Sequence, residues 1–120
     1  MAHSDTEHRD PDCLFCRIIA GEIPSERVRE DEQVIAFRDL HPKAPVHVLV
    51  VPREHHRDVR DLAARPELLA HTATVAAQVA ADLADGDFRL IFNTGPGAGQ
   101  TVFHVHAHVL AGGTLAEGEM

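Results

Sequence analysis

The sequence predicts an α+β domain, a five-stranded and mostly antiparallel sheet with one long and one or two short helices. Three observations carry that expectation. Short apolar stretches of strand length recur between residues 28 and 51 and again between 88 and 111. One extended segment between them, from Pro66 to about Asp85, has its apolar residues at helical spacing. The last stretch alternates strictly: His104, His106 and His108 are separated by Val105 and Ala107, with Val109 following.

Taken in order, Cys13 to Ala20 sets Leu14, Phe15, Ile18 and Ile19 on the face of a short helix that Gly21 stops. Val28 to Glu30 and Gln33 to Asp39 read as a hairpin around Asp31-Glu32, with Val34 and Ala36 on one face and Ile35, Phe37 and Asp39 on the other. Pro42 and Pro45 make residues 40–46 a connecting loop, because proline cannot donate to a central ladder. His47 to Val51 is the clearest strand, ended by Pro52. Asp58 is placed to cap a short turn ahead of Leu62.

The long helix follows, with Leu68, Leu69, Thr72, Val75, Ala76, Val79, Ala80 and Leu83 in register, Pro66 in its tolerant first turn and Gly86 beyond its end. Phe88 to Asn93 and Phe103 to Ala111 form a second hairpin across a glycine-rich turn. Strands and helices in this order place the helices on one face of the sheet.

At 120 residues and 44% hydrophobic content the chain suits one domain, here 12–113, between flexible tails at 1–11 and 114–120. The formal charge of −8 disfavours nucleic acid and anionic membrane surfaces as partners. No apolar run approaches the roughly 18 residues of a membrane span, and Met1 to Pro11 lacks the apolar core of a signal peptide. A cytoplasmic protein is expected.

In an extended strand the three histidines share one face at intervals of about 7 Å, while the small apolar residues between them face a core. The competing reading is a row of exposed polar residues on a half-buried strand. Asn93-Thr94-Gly95-Pro96-Gly97-Ala98-Gly99-Gln100-Thr101 just upstream favours chemistry, since glycine lets backbone N–H groups approach an anion closely. Imidazoles beside a phosphate cradle suggest attack on phosphorus. His106, flanked by the other two, is suited to donate through one ring nitrogen to a carbonyl and attack with the other, with His108 at the phosphate oxygens or the leaving group. His47, taken alone, reads as an edge histidine. Cys13 and Cys16 admit three readings: half of a zinc site, a redox pair, or two buried thiols.

His104-Val-His106-Ala-His108-Val109-Leu110 resembles the signature of the histidine triad (HIT) superfamily. The stretch from Asp39-Leu40-His41-Pro42 through His47-Val48-Leu49-Val50-Val51-Pro52 is similar to the corresponding stretch of its Hint branch. The similarity runs from Cys13 to Gly112-Gly113. It implies nucleotidyl hydrolase or transferase chemistry on purine nucleotides such as adenosine phosphoramidates, through a nucleotidyl-histidine. His106 would be the nucleophile, with His108 and His47 in support. Asp39 would hold the ribose hydroxyls beside Leu40; Asn93, Gly99 and Gln100 would lie on the phosphate side, and Thr101 at the leaving group.

The resemblance also implies a homodimer joined into a larger sheet, and structural zinc held by Cys13, Cys16, His55 and His104; no organic cofactor is expected. The alternatives are a dinucleoside polyphosphate hydrolase or phosphorylase, and a nucleotide-binding regulatory protein with little turnover. Two departures stand out. The tail after Gly112-Gly113 lacks the arginine and tryptophan of many Hint proteins, and Ala107 is smaller than their usual residue, predicting a thinner core behind the triad.

Overall fold

The computed structural model describes residues 12–115, so the tails expected at 1–11 and, from Ala116 on, at the other end lie outside the described residues. The elements are α1 (Leu14–Ile19), β1 (Arg27–Glu30), β2 (Val34–Arg38), β3 (Val46–Pro52), α2 (Val59–Leu62), α3 (Pro66–Leu83), β4 (Phe88–Ile91) and β5 (Ala107–Ala111), with a 3₁₀ turn at Pro96–Ala98. The five strands form one antiparallel sheet in the order β1-β2-β3-β5-β4. No helix among the described residues is long and apolar enough to cross a membrane.

Period-2 alternation sorts the central strands onto two faces. Val34, Ala36, Val46, Val48, Val50, Val105, Ala107, Val109 and Ala111 turn to one side, where Leu68, Val75, Ala76, Val79 and Ala80 of α3 cover them. Thr72 is fully buried in the same helix and satisfies its hydroxyl by donating to the Leu68 carbonyl at 2.8 Å. Ala107 is itself fully buried, so the small side chain leaves this core closed to water.

The expectation that helices cover one face only is corrected. Ile35, Phe37, Leu49 and Val51 on the opposite face are buried under Phe15, Cys16 and Ile18 of α1. The reason is in the composition of β2 and β3: both are continuous apolar runs, and such strands need cover on both sides. Leu14, expected on the buried face of α1, is 44% exposed, and Cys16 takes its place inside.

A second correction concerns the histidine strand. The ladder with β3 ends at the Val50–Ala107 pair, so only His108 of the three lies within β5. Val105 instead donates its N–H to the carbonyl of His56 at 2.7 Å, drawing the preceding segment toward the loop after β3. At the end of that loop Asp58, 3% exposed, accepts from the Arg60 amide at 2.9 Å and from its guanidinium at 2.7 Å, capping α2 as expected.

Candidate active site and metal centre

The face of the sheet under α1 carries the candidate residues, and its histidines are not an exposed row. His104 is fully buried and His47 nearly so, while His106 and His108 are half-buried. His47 stands opposite Leu110 and His108 opposite Leu49, so their rings are diagonal neighbours, with His47 Nε2 at 2.9 Å from His108 Nδ1. The His106 and His108 ring centroids lie 5.0 Å apart. Phe15 meets His106 edge-on at 4.9 Å, a contact that no motif marked beyond the apolar face of α1.

His106 Nδ1 lies 2.8 Å from the carbonyl oxygen of His104. A carbonyl only accepts, so Nδ1 carries the proton and Nε2 keeps its lone pair. Burial lowers the pKa of His106, opposed by that hydrogen bond and by Asp39, so the ring is neutral where an exposed imidazole begins to charge. Burial likewise lowers His108, with His106 and His47 adding to the effect, to about 4. His47 is lowered by burial, against the pull of Asp39. A row of neutral imidazoles in which His106 keeps a bare ring nitrogen is suited to nucleophilic attack.

Beside them is a cleft of about 280 Å³ lined by Asp39, His41, Lys43, His47, Ile91, Asn93, His108 and Leu110. Of the candidate residues it gathers Asp39, Asn93, His47 and His108 but not His106, which is not among its lining residues, and it adds His41, Lys43, Ile91 and Leu110. A larger depression of about 380 Å³ between Asp85 and Leu115 contains no imidazole.

The remaining candidates are placed elsewhere. Gln100 is buried and acts as a brace: its Oε1 accepts from the Gly95 amide at 2.8 Å, and its Nε2 donates to the carbonyls of Arg57 at 2.7 Å and Val102 at 3.1 Å. Both donors are thereby occupied, one of them by the segment that follows β3. Gly95 and Gly99 have φ of 87° and 90°, the left-handed region that only glycine enters cheaply, which closes the 3₁₀ turn. Leu40 is 89% exposed and Thr101 lines a separate depression with Asp12, Cys13, Leu14, His55, Val102 and Phe103.

Cys13, Cys16, His55 and His104 converge. Cys13 caps α1, with its sulfur accepting from the Cys16 amide at 3.3 Å, so both sulfurs face inward from one helical turn. His104 Nδ1 lies 3.4 Å from each sulfur and 3.1 Å from His55 Nδ1, and the second sulfur is 3.4 Å from His55 Nδ1. His104 Nε2 donates to the Pro52 carbonyl at 2.7 Å, which leaves Nδ1 bare toward the cluster. For bonds of about 2.0 Å to nitrogen and 2.3 Å to sulfur, tetrahedral zinc needs donor separations of about 3.3–3.8 Å. The 3.4 Å sulfur–nitrogen separations fall in that range and the 3.1 Å nitrogen pair lies just short of it, so the donor set fits tetrahedral zinc, and of the three readings of the cysteine pair the metal half-site accounts for both histidines.

A family model described as the HIT domain matches residues 20–115. The chain belongs to the HIT family. It is similar to a HIT-like protein of Synechocystis, at 49% identity over 84% of this chain and 90% of that one. It is likewise similar to the purine nucleoside phosphoramidase of Escherichia coli, at 43% identity over 85% of this chain and 88% of the relative. Among solved structures, a HIT family hydrolase from Clostridium thermocellum superposes with a TM-score of 0.85 at 44% identity, covering 89% of this chain and 96% of that one. A zinc-bound histidine triad protein from Mycobacterium smegmatis superposes with a TM-score of 0.73 at 38% identity, over 82% and 73% of the two chains. The HIT domain here thus shares its fold with a HIT family hydrolase and with a zinc-bound histidine triad protein.

Proposed function

We propose that this HIT domain hydrolyses phosphoramidates of purine nucleosides, releasing the nucleoside monophosphate through a nucleotidyl-histidine intermediate. The observation that carries the reading is the bare Nε2 of a neutral His106, set by the 2.8 Å contact of Nδ1 with the His104 carbonyl. In the first step Nε2 bonds to phosphorus as the phosphorus–nitrogen bond to the amine breaks, and the amine leaves after taking one proton from solvent. In the second, water attacks phosphorus and returns one proton to solvent, the bond to His106 breaks, and its electron pair restores the neutral ring. Because Nδ1 stays protonated, the intermediate ring is cationic and a good leaving group.

His108, His47 and Asn93 line the cleft, the His106 ring lies 5.0 Å from that of His108 between centroids, and Gly99, Gln100 and Thr101 are proposed to close the phosphate side. The test is a panel of adenosine and guanosine phosphoramidates and dinucleoside polyphosphates assayed for mononucleotide release. Preferential release from dinucleotides would move the chain to polyphosphate hydrolysis, and tight binding without release would make it a regulatory binder.

Asp39 is assigned to the ribose, with Leu40 at the rim. Its Oδ1 already accepts from the His41 amide at 2.8 Å, which holds the carboxylate at the cleft wall. Asp39→Ala is expected to weaken AMP binding by roughly 10-fold or more, the scale of one or two charge-assisted hydrogen bonds, and to affect 2′,3′-dideoxy-AMP far less. Calorimetry with both ligands checks this; equal losses remove Asp39 from the ribose.

Cys13, Cys16, His55 and His104 are proposed to hold a structural zinc ion, which would tie α1 to the triad segment. The functional unit is proposed to be a homodimer. Supporting it, β4 is an edge strand of the sheet and carries Phe88 and Leu90, each 36% exposed, on one side of that open edge. Sedimentation should give a dimer at micromolar concentration, and a monomer well above that range would defeat the proposal.

A further inference from the structure

His47 and His108 share one contact, and its direction decides what His108 offers the cleft. A neutral imidazole has one donor and one acceptor, so the 2.9 Å approach of His47 Nε2 to His108 Nδ1 holds a single proton that either ring can own. The deciding group lies outside the pair. The backbone N–H of Lys43 donates to His47 Nδ1 at 3.0 Å. An amide nitrogen cannot accept, so His47 Nδ1 must be bare and the ring proton sits on Nε2. That proton points to His108 Nδ1, with Asp39 Oδ2 at 3.5 Å as a weaker second acceptor. His108 Nδ1 is then the acceptor, and the proton of His108 is on Nε2, 3.4 Å from Asn93 Nδ2.

We infer that Lys43 is a positioning residue whose backbone amide fixes a one-way chain of hydrogen bonds, from Lys43 to His47 to His108, so that His108 faces the cleft as a donor. This gives the double-proline loop a function. Pro42 and Pro45 on either side of Lys43 restrict the backbone that aims its N–H at the ring. Two consequences follow. His108 Nε2–H and the Asn93 amide converge on one acceptor position, which a phosphoryl oxygen fills; that identity rests on the function proposed above, whereas the direction of the chain does not. Further, Asp39, His47 and His108 gather in the donor set of two histidines and a carboxylate that transition metals use, yet the amide holds Nδ1 and keeps the proton on Nε2, so His47 has no lone pair to give. The cluster is built to hold a proton.

The test replaces Lys43 in the full chain by its α-hydroxy acid, turning the amide N–H into an ester oxygen, and reads ring tautomers by ¹⁵N NMR of histidine-labelled protein without ligand. In the native protein His47 and His108 should both be protonated at Nε2. In the ester variant a second population with His108 protonated at Nδ1 should appear, whereas Lys43→Ala, which keeps the amide, should retain the native pattern.

Turnover of an adenosine phosphoramidate by the ester variant should fall about tenfold or more in kcat, the scale of a lost transition-state donor, with AMP affinity changed less than about threefold. Lys43→Pro removes the same N–H and serves as the second variant. Native His108 protonated at Nδ1, or an ester variant with unchanged tautomers and kcat, overturns the inference. The native tautomers decide the point even where neither variant folds. Native protein that shows these tautomers but releases no AMP refutes the proposed activity alone.

Discussion

His106→Ala is expected to lower phosphoramidate turnover by roughly 10⁴-fold or more while AMP binds within about threefold of the native affinity. The imbalance follows from what the side chain does. Its Nε2 forms a bond that exists only along the reaction, so its loss removes transition-state stabilisation and little ground-state contact. Mass spectrometry of enzyme quenched during turnover should place the nucleotide on the peptide that contains His106. An adduct on another residue, or near-native turnover by the variant, overturns the assignment.

The pH dependence should agree. Protonation of Nε2 removes the nucleophile, and burial lowers the pKa of His106 from the ordinary 6.5 and that of His108 to about 4. The acidic limb of kcat/KM, which reports the free enzyme, should therefore be centred below pH 6.5, with activity present above the limb and lost as pH falls through it. A limb centred above 6.5 contradicts a neutral nucleophile.

Protein grown with ample zinc is expected to contain about one zinc ion per chain, and stripping it should cost much of the stability. At a thousandfold excess of metal over its dissociation constant the linkage amounts to about 4 kcal/mol, or roughly 10–20 °C in Tm for a domain of this size. Two thiols and two imidazoles left without the ion would keep their donors packed together in the interior, and α1 would lose its tie to His104. Cys16→Ser, at the more buried of the two sulfurs, should lower both metal content and Tm. Unchanged melting on adding zinc to metal-free protein would rule the centre out.

Much of this was legible from local pattern alone. The periodicity of residues 66–83 marked α3, the alternation through Val34–Phe37 sorted two faces, and Asp58 announced the cap of α2. Such features depend on neighbours within a turn or a pleat, so the chain carries them without knowing its fold. The motifs also named His106, Asp39 and the four residues of the cysteine–histidine cluster, and the structure gathers that cluster from segments as much as 91 residues apart.

What only the tertiary structure decided is how those groups are used. The covering of both sheet faces followed from the continuous apolar runs of β2 and β3, which show burial on two sides but not which helix supplies each cover. The early end of β5 came from a bond between Val105 and the His56 carbonyl, a partner that no local pattern specifies. Gln100 became a loop brace because the Arg57 carbonyl folds against it. The protons on the His106 and His47 rings are set by the His104 carbonyl and the Lys43 amide, backbone groups present at nearly every position. Side-chain identity therefore fixes which chemistry is available, and the fold, by choosing which backbone groups meet those side chains, fixes which nitrogen performs it.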